Sequence, residues 1–111
     1  MAQELVLLSD IPLTLDLMAQ VARRVIPDGT GVSYRGGEIT QFVGTGGRPV
    51  LTVFDPVPVH APDDAAALLQ DPPASFGLWT EITLPFGSGV TGRELAEAFA
   101  DAVGGVVKEK R

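Results

Sequence analysis

The sequence predicts an α+β fold. One domain spans residues 1–111, built on a mostly antiparallel or mixed sheet of about six strands. Two main helices and one short helix accompany it, in the order β-α-β-β-β-α-β-α-β. Three observations carry this expectation. At 111 residues, 45% hydrophobic and 20% charged, the chain can bury one core and is too apolar for disorder. Two segments behind a threonine repeat apolar residues at helical spacing. Between them, short β-branched runs alternate with Gly- and Pro-rich turns.

Taken in order, ELVLL at residues 4–8 reads as a buried first strand, and SDIPL turns the chain. TLDLMAQVARRVI then places Leu17, Met18, Val21, Ala22 and Val25 on one helical stripe, with Thr14 as N-cap and Pro27 as the stop. Arg23 and Arg24 fall in its last turn, where the helix dipole favours cations.

GVSYRGGEITQFV predicts a hairpin, because Gly36-Gly37 between two β-rich runs suits a turn with positive φ. The register pairs Ser33 with Thr40, Tyr34 with Ile39 and Arg35 with Glu38. Val32, Tyr34, Ile39 and Val43 then share the face expected to be core. Ser33, Arg35, Glu38, Thr40 and Phe42 share the face expected to be wet.

The glycines of QFVGTGGRPVLTVF invite comparison with a phosphate-binding loop. Such a loop needs a helix after it to supply the amides that hold the anion. Here the β-branched VLTVF follows and no Lys-Ser/Thr pair is present, so Gly44 to Pro49 is expected to join two strands.

DPVPVHAPDD, with three prolines, reads as an extended crossing loop. PDDAAALLQ reads as the short helix, opened by Pro62 with Asp63 and Asp64 at its positive end. FGLWTEITL is a strand with Phe76, Leu78, Ile82 and Leu84 on one face and Trp79, Glu81 and Thr83 on the other. In VTGRELAEAFADAV, Thr91 and Glu94 match a capping box, and Leu95, Phe99, Ala102 and Val103 form the stripe expected to be buried. Gly104-Gly105 ends this helix and VVK is a last strand. Each end of the chain thus reads as strand, turn, Thr-capped helix, strand.

The chemistry the chain can carry is restricted. It has no cysteine, which excludes disulfides, thiolate metal sites and cysteine nucleophiles. A net charge of −6 with scattered basic residues makes a nucleic-acid partner unexpected. The N-terminal apolar run is too short for a signal peptide, and no stretch approaches a membrane span, so a cytoplasmic protein without membrane contact is expected. No cofactor is expected. The rich content of Ala, Gly, Val, Pro and Asp is that of high-GC bacterial genomes.

Two groups of residues stand out. His60 is the only histidine, and Asp55, Asp63 and Asp64 flank it, a set with ligand-binding or metal-binding chemistry in one loop. Ser88 in FGSGV lacks the spacing of a nucleophile elbow. Glu94, Glu97 and Asp101 read as the solvated side of the last helix. Phe42 and Trp79 each interrupt an otherwise polar strand face, which points to an interaction face with Arg35 and Glu38 on its rim. The expected function is a non-catalytic binding or interaction module, with a protein partner or a second copy of itself as a homodimer. The alternative is an enzyme or a small-ligand or metal-binding protein using the 55–64 loop.

Overall fold

Among the described residues, seven strands form one sheet in the order β2-β3-β4-β6-β1-β7, with β5 beside β6. A computed structural model describes residues 3–73, 75–86 and 89–110, excepting the side chains of Asp63 and Ala66. The elements are β1 (Gln3–Ser9), α1 (Leu15–Val25), β2 (Thr30–Tyr34), β3 (Ile39–Val43), β4 (Pro49–Phe54), β5 (Val57–Pro58), a 3-10 helix (Pro62–Ala67), β6 (Leu78–Leu84), α2 (Gly89–Ala102) and β7 (Val106–Glu109). Every pairing is antiparallel. Strand alternation therefore makes β1 parallel to β2 and β6 parallel to β7, although neither pair touches. The two ends are split β-α-β units, and β6 and β1 pair inside the sheet, with β7 on the far edge of β1.

Both helices lie on one face. Met18 and Val21 of α1 and Leu95, Ala96, Phe99 and Ala100 of α2 close over Leu5, Leu7, Phe42, Leu51, Val53, Ile82 and Leu84. Thr14 caps α1, its Oγ1 accepting from the Leu17 N–H at 3.2 Å. The far end of α2 is a Schellman turn: the Gly105 N–H donates to the Ala100 carbonyl at 2.8 Å, with Gly104 at φ 64°. Gly105 lacks a side chain for a different reason: a Cβ there would lie 2.5 Å from the Leu8 carbonyl oxygen.

Several expectations are corrected. The predicted hairpin register holds, with Ser33 opposite Thr40 and Tyr34 opposite Ile39, and Gly36 and Gly37 take φ of 65° and 98°. Its faces are the reverse of those predicted. Phe42 is 3% exposed and meets Phe99 with ring centroids 5.5 Å apart, and Thr40 is buried beside it. Val32 and Tyr34 are exposed on the other side. Phe42 is therefore core and belongs to no interaction face. Arg35 also enters the left-handed region at φ 52°, so strand pairing ends at Tyr34–Ile39.

In α2 the buried stripe runs through Leu95, Ala96, Phe99, Ala100 and Val103, while Ala102 is exposed. The helix already begins at Gly89, so Thr91 sits inside its first turn and cannot cap it; Ser88 lies outside the described residues. The short middle helix is 3-10, and a two-residue strand precedes it. Gly44 to Pro49 does join two strands, with Gly46 and Gly47 at positive φ.

The middle of the chain covers part of the opposite sheet face. Ala65, Leu69 and Phe76 pack with Val6 and Leu8 into a second, smaller core, with Val59 and Trp79 at its margin. Leu69 also bridges to Lys110 at the end of β7. The roof spans β6, β1 and β7, and leaves the opposite end of that face, over β2, β3 and β4, open.

Candidate functional site

A concavity lies where the roof meets the open part of the sheet. β4 ends at Phe54, Asp55-Pro56 steps the chain sideways, and β5 resumes pairing on the same side of β6, with Val57 opposite Trp79. The chain then crosses back through Val59, His60 and Ala61 into the 3-10 helix. The resulting pocket has a volume of about 590 Å³ and is open to solvent. Phe54, Val57, Val59, Leu68 and Trp79 give it apolar walls, and Asp55, His60, Asp64 and Glu81 are its titratable groups. Val57 and Leu68 are more than half exposed, so the walls are wet in the free protein.

Trp79 is half-buried, and its Nε1 donates to Glu81 Oε1 at 3.2 Å. The same oxygen accepts from Lys110 Nζ, which crosses over β1 from β7 and lies 3.9 Å from Glu4 Oε1. Lys110's hydrogen bond holds the Glu81 carboxyl below its usual range, against partial burial that pushes it up, and the Trp79 N–H acts in the same direction as Lys110. Trp79 is thus fixed by its own strand neighbour. No lysine or arginine lines the pocket, and among the described residues Asp55 and Asp64 make no ion pair.

The two groups singled out in the sequence converge here in part. Asp55, His60, Asp64 and Trp79 share the pocket. Asp63 belongs to the 3-10 helix, and its side chain is outside what the structure describes. Among the described residues no three His, Asp or Glu side chains come together in a way that could hold a metal ion. Arg35 and Glu38 are exposed at the β2–β3 turn and do not line the pocket; the Glu38 carbonyl accepts from the Asp55 N–H at 2.9 Å and so anchors the start of the crossing. Sequence inspection missed Phe54, Val57, Leu68 and Glu81. The available signal was Trp79 and Glu81 two apart on one strand face, facing a loop with apolar residues on both sides of its prolines.

No family model, curated protein or solved structure matches the chain at a significant level. No helix is long and apolar enough to cross a membrane among the described residues.

Proposed function

We propose that the protein is a non-catalytic binding module whose pocket takes a small organic cation, an apolar body carrying an amine or ammonium group. The observation that supports this is the pairing of apolar walls with carboxylates that lack a cation. Ligand pockets of a few hundred Å³ are commonly apolar with a few placed polar groups, and this one has that composition. The indole of Trp79 offers a face to a cation as well as to a hydrocarbon. Asp55 and Asp64 supply charge where Glu81 is already satisfied by Lys110.

Trp79 is the only tryptophan, so its emission reports the pocket directly. Titration with a phenylalkylammonium should shift that emission saturably, and the alcohol and the carboxylate of the same skeleton should bind more weakly. Asp64→Asn should weaken the ammonium by about fivefold to tenfold, the worth of one partly solvated charged contact. Equal binding of all three compounds would sink the cationic part of the proposal, and an unresponsive Trp79 would sink the pocket itself.

A further inference from the structure

Among the described residues the outer edge of β2 has no strand partner. All five of its residues, Thr30 to Tyr34, are exposed, and it contains no charge, no proline and no bulge, the devices that keep edge strands apart. We infer that two copies of the chain pair through this strand, antiparallel about a two-fold axis at Val32, and extend the two sheets into one.

The backbone allows this register. The Asp55 N–H donates to the Glu38 carbonyl directly opposite it. With the Glu38 carbonyl turned to β4, the Ile39 N–H of the same peptide turns to β2. By the alternation of an antiparallel ladder, Thr40 and Phe42 then aim their backbone groups at β4, and Ile39, Gln41 and Val43 aim theirs at β2. Their partners Tyr34, Val32 and Thr30 therefore face β3. Gly31 and Ser33 are left with N–H and C=O pointing outward. A two-fold axis at Val32 sets Gly31 of each copy opposite Ser33 of the other, and both outward groups of both residues are satisfied.

The side chains match under the same operation. Val32 meets Val32 of the second copy at a close, non-hydrogen-bonded position, and Tyr34 meets Thr30, all on the open face. Arg35 at one end of β2 comes alongside Asp28 of the second copy; both are exposed, and neither makes an ion pair among the described residues. On the helix side a groove separates β2 from α1, with Asp16 and Arg23 along its α1 wall. The two-fold brings the Asp16 end of one α1 towards the Arg23 end of the other. Opposite charges therefore meet on two levels of the contact. A five-residue edge buries less than a standard interface, so the dimer forms reversibly with concentration.

The pairing involves no residue of the pocket walls, so it stands or falls apart from the ligand proposal. Analytical ultracentrifugation should show a monomer–dimer equilibrium. Val32→Lys and Val32→Glu each place like charges face to face at the axis and should weaken self-association by about tenfold or more, with circular dichroism unchanged. Mixing the two variants should restore a dimer of one copy of each, since residue 32 then faces an opposite charge. A strict monomer up to about 1 mM would overturn the inference. So would a dimer that either variant leaves at full strength, or a mixture that does not reassociate.

Discussion

Glu81 concentrates several roles in one carboxylate. It accepts from Trp79, receives Lys110 from across β1, and stands at the border between the roofed and open parts of the sheet. Its proton affinity is lowered in the folded chain, so the unfolded chain binds a proton here more readily. The stabilisation it gives is present above the ordinary carboxylate range and is lost as pH falls through its lowered folded value. With its side chain 42% exposed the contribution is screened, and direction is the testable part. Glu81→Gln should lower the melting midpoint at neutral pH, and the gap from the parent should close as the solution is acidified below the carboxylate range. A gap of constant size would mean that Lys110 contributes packing rather than charge. Nothing in the sequence around Lys110 points to Glu81. Its partner lies two strands away, and only the order β7-β1-β6 brings them together.

At the scale of the element, the β2–β3 hairpin separates what local chemistry determines from what packing determines. Gly36 and Gly37 sit at φ 65° and 98°, and a Cβ on Gly36 would meet nothing within 4 Å. The cost of a side chain there is conformational rather than steric. Replacing both by Val should destabilise by about 1–3 kcal/mol, read from denaturant midpoints. An unchanged midpoint would mean that the turn has rearranged at no cost. The turn and register were legible because glycine's freedom is local. The buried face was not, because β2 and β3 carry apolar residues on both sides. Val32, Tyr34, Ile39 and Val43 outnumber Phe42, yet β2 is an edge strand whose pattern records no burial. The single Phe42 ring decides the face because Phe99 of α2 waits on that side. The middle segment was half legible in the same way. Its prolines announced a crossing, but that Ala65, Leu69 and Phe76 dock on Val6 and Leu8 depends on the sheet beneath them.

The whole molecule is a sheet with two unequal covers. The helix side holds most of the buried apolar residues, and the roof holds a separate cluster of five. Such a division predicts unequal stability, since small cores over long crossings open first. Leu69 is fully buried in the smaller cluster, and Leu69→Ala should cost about 2–5 kcal/mol. Hydrogen exchange should show that loss in residues 57–76, with Trp79 becoming more accessible to quencher, while α2 and β1 keep their protection. A uniform loss across the chain would show that the two cores unfold as one unit. The pocket is built at the edge of this lesser core, so its shape depends on the part of the molecule predicted to open first.

The pairing of β1 also has a consequence for synthesis. Its two neighbours are β6 and β7, residues 78–84 and 106–109, so each of its edges waits for chain made much later. While ribosomes deliver residues in order, the apolar segment Leu5–Leu8 has no strand to join until β6 has emerged, and its second edge stays open until β7 follows. Only the β2–β3–β4 meander can form from consecutive chain before then. The closing of the central sheet is therefore a late, non-local event. Joining residues 3–9 to residues 78–84 and 106–109 closes a long loop, the kind of non-local pairing that slows folding.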